Sequence, residues 1–257
     1  MEIFKIRCSA IGHIMTGDIG LNPPQQEKYE ILSAKPTLTE KQEIALRELQ
    51  HKKDNPELPK GAQTYCRDWF KGQMYKRQVE IKSKYLDKGN IMEDHSLDLV
   101  AEKLDLGLLL KNEDYFKDSY MRGTPDALLP ELVIDVKNSW DWTTFPLLEK
   151  EVPNRDYYWQ LQGYMNLADK PAAKLIYTLL DTPEHLIERE ARYYAINNGY
   201  EALTKDIYNR FKAKMTYSDL PDELRYKSFD IERNPADIVL ITERVKMCRV
   251  FIKTLHS

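Results

Sequence analysis

The stretch Leu132-Val133-Ile134-Asp135-Val136-Lys137-Asn138 decides how this chain is read. It is β-rich and apolar on both sides of a single acid, the composition of a strand buried on both faces. Side chains alternate along a strand with a period of two, so Asp135 and Lys137 point to the same face. Opposite charges are thereby set side by side near the end of an apolar segment, where burying either unpaired would be costly. A structural ion pair accounts for them as well as a reactive centre does. The triplet is also short enough to arise by chance, and Glu80-Ile81-Lys82 has the same form.

Upstream, Asp126 stands nine residues before Asp135, in Gly123-Thr124-Pro125-Asp126-Ala127. A hairpin with Pro130-Glu131 at its turn folds Asp126 back beside Asp135. Two carboxylates meeting at one spot repel unless a cation sits between them. Oxygen ligands of this kind suit Mg²⁺ or Mn²⁺. The same tetrapeptide also reads as a plain turn, since Pro and Asp are common turn formers. A third acid, Glu93, shares a helical face with Leu97, Val100 and Leu104. A carboxylate at the leading end of an apolar stripe calls for a metal or a lysine, unless it is a first-turn acid favoured by the helix dipole. Downstream, Gln160 and Tyr164 are four apart and lie on one helical face. The amide could hold an attacking water or orient Lys137, and Tyr164 could pack or touch phosphate; an amphipathic helix with aromatic anchors explains them without chemistry.

Around these residues the pattern predicts helices over 39–53, 62–84, 89–104 and 157–168, the first opened by Thr39 and Gln42 at capping-box spacing. The first 35 residues read as a short apolar start followed by a turn-rich segment. A second buried strand is predicted over 173–180, a largely helical region over 183–215, an edge strand in the stretch 225–233 and a C-terminal helix over 235–255. Helices before, between and after a small central mixed sheet imply an α/β fold in three α/β/α layers. With 257 residues the chain is long enough for one substantial core, and a single domain over 1–257 is expected, with an N-terminal helical region (1–87), core motifs (88–180) and C-terminal helices (181–257).

A hydrophobic fraction of 42% and a charged fraction of 31% suit a globular protein in water, and no run of 18 apolar residues could cross a membrane. The N-terminus lacks the build of a secretory signal, and three scattered cysteines (Cys8, Cys66, Cys248) suggest no disulfide framework, so a reducing cytoplasm is expected. The net charge of −3 does not advertise a nucleic-acid binder, but its distribution is uneven: Arg67 to Lys88 carries a local +4, with Trp69, Phe70, Tyr75 and Tyr85 interleaved. Such a stretch could track a phosphate backbone and stack on bases, or form a solvated helix with a basic outer face.

Taken together, these residues resemble the PD-(D/E)xK nuclease superfamily, and among its members the lambda-exonuclease type of phage recombination nucleases. Lys88 to Glu93 is similar to the helical glutamate motif, Gly123 to Asp126 and Val133 to Lys137 to the central motif, and Gln160 to Tyr164 to the QxxxY helix. Arg7-Cys8-Ser9-Ala10 is similar to the N-terminal serine segment that contacts a DNA terminal phosphate. Asp135 stands where glutamate is common, and Arg7 is not at the family's spacing from the serine. The resemblance implies a restriction-endonuclease-like core and phosphodiester hydrolysis by an in-line water. Asp126, Asp135, the Val136 carbonyl and Glu93 would hold one or two Mg²⁺ (or Mn²⁺), with Lys137 and Gln160 completing the catalytic set. It further implies DNA contacts by Arg7, Ser9, Lys88, Thr124 and Tyr164. Resection from 5′ to 3′ at a free duplex end, a ring-shaped homo-oligomer, a single-strand annealing partner and a phage or prophage setting also follow from it. No iron–sulfur cluster is expected, since related nucleases that carry one need four cysteines. The competing readings are an endonuclease of the restriction or junction-resolving type, a non-catalytic DNA-binding module, and an unrelated α/β protein with a structural ion pair.

Overall fold

The structure, a computed structural model, describes residues 2–77, 79 and 83–255. The chain opens with the two-residue strand β1 (Ile6–Arg7), a single 3-10 turn and the short helix α1 (Ile11–Met15). Four longer helices follow: α2 (Pro23–Ser33), α3 (Glu40–Asp54), α4 (Lys60–Tyr75) and α5 (Lys84–Lys103). Short strands come next: β2 (Phe116–Lys117), β3 (Met121–Gly123), β4 (Ala127–Leu129) and β5 (Leu132–Asn138). The chain then alternates through α6 (Arg155–Leu167), β6 (Ala172–Thr178), α7 (Glu184–Asn197), α8 (Lys205–Met215), β7 (Tyr226–Glu232) and α9 (Pro235–Thr254).

Three boundaries differ from the sequence reading, each for a local reason. The turn-rich N-terminal segment contains α2, because Asn22 caps it: its side chain accepts the Gln25 N–H at 2.9 Å while Gln25 reaches back to the Asn22 N–H, and Pro23 supplies a preset first helical position. The predicted helix over 62–84 stops at Tyr75, where Lys76 turns left-handed (φ 49°) and the Arg77 N–H closes on the Gly72 carbonyl at 3.1 Å. The helix predicted from Gly89 starts earlier, at Lys84, where the Ser83 hydroxyl caps the Tyr85 N–H. The second acid-x-lysine triplet, Glu80-Ile81-Lys82, lies outside the described residues.

Two sheets form. The smaller runs in the order β1-β3-β2; the larger runs β4-β5-β6-β7, with β5 and β6 parallel and both outer pairs antiparallel. As expected, β7 is an edge strand. Alternation along β5 divides the interior. Val133 packs with Leu161, Met165 and Val245 from α6 and α9, whereas Ile134 and Val136 pack with Leu97 and Val100 from α5. Helices thus cover both faces of a mixed sheet, the three-layered arrangement the sequence implied. The division also fixes register: a one-residue slip would turn Asp135 and Lys137 into the apolar α5 side. Desolvating such charges costs several kcal/mol each, so the alternative is strongly disfavoured. No helix among the described residues is long and apolar enough to cross a membrane.

Candidate active site

The hairpin β4–β5 builds the site. Ala127 pairs with Ile134, so Asp126, one residue before β4, falls opposite Asp135 as the sequence suggested. Its Oδ2 accepts the Val136 N–H at 2.7 Å, and its backbone carbonyl accepts the Asn112 N–H at 2.7 Å. Asp135 is fully buried. Its Oδ1 accepts from Gln160 Nε2 at 2.8 Å, and Gln160 in turn lies 3.4 Å from the Tyr164 hydroxyl. Its Oδ2 faces Lys137 Nζ at 2.5 Å as an ion pair, and has no other donor. The Lys137 ammonium also sits 4.9 Å from the centre of the Tyr157 ring, a cation–π contact.

The electrostatics follow from this crowding. Burial pushes the Asp126 carboxyl up to about 7; the neighbouring Asp135 charge adds to the rise, and Lys137 and the Val136 N–H oppose it. Burial alone would lower the Lys137 ammonium, but Asp135 and Asp126 outweigh it and push it up to about 12. The lysine therefore stays charged, and the carboxylate pair remains short of positive charge. Both observations fit a divalent cation: a buried Asp135 oxygen met by Lys137 alone, and an Asp126 carboxyl whose ionisation is resisted. Among the described residues no three His, Cys, Asp or Glu side chains gather as a ready metal cluster. Mg²⁺ in particular is usually held by one or two carboxylates with waters and substrate phosphate, so the aspartate pair alone is a sufficient protein donor set.

Glu93 approaches that pair from α5, and its charge adds to the rise of the Asp126 carboxyl. Its stripe is as expected, with Leu97 and Val100 buried on the α5 side of β5. Its Oε2 pairs with Lys111 at 3.1 Å. The helix-dipole explanation does not hold, because α5 starts at Lys84 and Glu93 lies in its third turn. Lys88 is a correction as well. It is wholly buried, and its Nζ donates to the Ser139 and Trp140 carbonyls at 2.9 and 3.0 Å, so it cannot meet a DNA phosphate. Burial lowers this ammonium to about 8, partly offset by Asp141 and Asp181.

The segment that carries Arg7 and Ser9 is anchored through Cys8. A Cβ on Gly163 would come within 2.9 Å of Cys8 Sγ, and one on Gly123 within 3.2 Å of Cys8 Cβ and 2.6 Å of the Tyr164 ring. Two glycines therefore let the Arg7–Ala10 segment press against both α6 and β3. Arg7 and Ser9 are exposed there, as is Thr124, whereas Tyr164 is buried. Burial raises its hydroxyl well above the usual phenol range, and the ring offers no surface contact, its hydroxyl meeting Gln160 instead. Sequence reasoning missed Lys111, Asn112 and Tyr157. Only Tyr157 carried a signal, standing three residues before Gln160 on the same helical face.

No protein-family model matches the chain, and no curated protein matches it. Solved structures do. A phage-related exonuclease from Haemophilus somnus 129PT is 23% identical with a TM-score of 0.71, over 99% of this chain and 96% of that one. An alkaline exonuclease (LHK-Exo) from Laribacter hongkongensis is 14% identical with a TM-score of 0.58, over 97% and 88%. The same enzyme in complex with dAMP gives a TM-score of 0.56 at 14% identity and the same coverage. The chain has the fold of these exonucleases along nearly its whole length. It is the fold anticipated from the resemblance to lambda-exonuclease-type nucleases.

Proposed function

We propose that this protein is a metal-dependent DNA exonuclease that hydrolyses phosphodiester bonds. The observation that carries the reading is the buried Asp135, shared between Gln160 and Lys137 and faced by Asp126. The exonuclease fold supports it. Bound Mg²⁺ or Mn²⁺, one or two per site, supplies a polarised phosphoryl oxygen and a water acidic enough to attack at neutral pH. The chain's own groups do the rest. Asp126 and Asp135 hold the cation, with the Val136 carbonyl as a backbone donor. Lys137 keeps its proton and stabilises charge that develops on the phosphate. Gln160 fixes the rotamer of Asp135, and the Tyr157 ring confines the lysine.

By the same reading the substrate is duplex DNA with a free end, resected from 5′ to 3′, with Arg7, Ser9 and Thr124 near the terminal phosphate. A ring-shaped homo-oligomer, a single-strand annealing partner and a role in phage-type recombination in a bacterial cytoplasm extend that proposal. The test uses end-labelled linear duplex with Mg²⁺, alongside a covalently closed circle. Nucleotides released from 5′-phosphorylated ends, and lost in Lys137→Ala, are the expected result. Rapid cutting of the circle would favour an endonuclease, and binding without release would favour a non-catalytic module.

A further inference from the structure

We infer that Lys111 is a positioning residue that holds Glu93 in the metal-free protein and yields it to the divalent cation; the inference rests on the metal-dependent reading above. Three observations place Lys111 in this role. Its Nζ lies 3.1 Å from Glu93 Oε2 and 3.9 Å from Asp94 Oδ1. Its neighbour Asn112 is clamped to the site's own backbone, with its N–H on the Asp126 carbonyl at 2.7 Å and its Nδ2 on the Pro125 carbonyl at 3.0 Å. The Asp126 charge reaches the Lys111 ammonium as well as that of Glu93. The loop between α5 and β2 therefore delivers a cation to the side of the aspartate pair that Glu93 approaches.

The two lysines of the site differ in how firmly they are held. Lys137 pairs with a carboxylate that is 0% exposed, so removing either partner would leave a buried charge. The Lys111 and Glu93 side chains are 45% and 22% exposed, and a pair in contact with water is weak and readily exchanged. A divalent cation held by the aspartate pair would compete for Glu93 more readily than for the buried partner of Lys137. Glu93 is then available as a further donor, directly or through water, and Lys111 is freed toward solvent. Without Lys111, the acid group would bind cations more tightly, and the gain would run through Glu93.

Calorimetric titration of DNA-free protein with Mn²⁺ tests this, on wild type, Lys111→Met, Lys111→Arg, Glu93→Gln and the double variant Glu93→Gln/Lys111→Met. Thermal melts in chelator establish that each variant is folded. Lys111→Met should bind Mn²⁺ roughly two- to fivefold more tightly, the scale of one partly exposed ion pair. Lys111→Arg should restore wild-type affinity, and Lys111→Met should add nothing in the Glu93→Gln background. Unchanged or weaker binding by Lys111→Met overturns the inference. So does equal tightening with Glu93→Gln, which would mean general electrostatics and no competition at Glu93. Either result alongside wild-type nuclease activity leaves the functional reading standing. Wild type that neither binds Mn²⁺ nor releases nucleotides overturns that reading, and the inference with it.

Discussion

The Oδ2 atom of Asp126 lies 2.7 Å from the backbone nitrogen of Val136, so one acid is fixed by the peptide between the other acid and the lysine. Position and charge can therefore be separated. Asparagine at 126 can still accept that N–H but no longer repels Asp135. The carboxyl's folded pKa is raised above 3.8 to about 7, so its ionisation costs stability as pH rises from about 4 to 7, and the cost is full above pH 7. Metal-free Asp126→Asn should then be more stable than wild type by roughly 1–3 kcal/mol at pH 8, with the gain gone below about pH 4. Nucleotide release should fall about a hundredfold or more. Chemical denaturation in chelator and a release assay read the two halves; equal stability at pH 8 would contradict the repulsion.

Lys137→Met leaves a fully buried Asp135 without its ion-pair partner and should cost about 3–5 kcal/mol. Adding Asp135→Asn should recover most of that stability while activity stays at least about a hundredfold down. A double variant that regained activity with stability would make the pair purely structural.

Lys88 gives the protein a pH dependence in the alkaline range. Its folded pKa is lowered from 10.5 to about 8, so between those values the unfolded chain holds a proton that the folded chain has shed. Stability contributed by this site therefore rises with pH through that window. Wild type should gain roughly 2 kcal/mol on Lys88→Met between pH 7.5 and pH 10. Denaturation curves for the two proteins that stay parallel across this range would contradict the burial argument.

Gly163→Ala should be destabilising despite its helical position. The new methyl would sit 2.5 Å from Ile11 Cδ1 and 2.9 Å from Cys8 Sγ, which is overpacking worth about 1–3 kcal/mol. Where alanine ordinarily favours a helix, a raised melting temperature here would show that the contact is loose.

Legibility in the sequence followed how local the determining interactions are. The strand Leu132–Asn138 was readable to the residue because its apolar pattern and its charges obey one period. Asp126 was placed correctly because a Pro-Glu turn leaves the hairpin one sensible register. The end of α4 was not visible, since a lysine in left-handed conformation looks like any other lysine. Lys88 was misassigned because its motif gave its neighbourhood and not its direction. It stands on the buried stripe with Ser96, two turns on, and its carbonyl partners are about fifty residues away in the chain. Lys111 was unreadable for a related reason: it lies in a loop without periodicity, and only Asn112's bonds to 125 and 126 bring it near Glu93.

The alternation of β5 has one more consequence, for the partly folded chain. Asp126, Asp135 and Lys137 come from one contiguous stretch and can meet as soon as the hairpin closes, which is a fast local event. Gln160 and Glu93 come from layers on opposite sides of the strand, and each arrives only when its helix docks. A nascent molecule would thus carry its acids and its lysine early yet remain inert, because Asp135 has no amide to orient it until α6 is seated. For the DNA exonuclease proposed above, activity would then wait on completion of the fold.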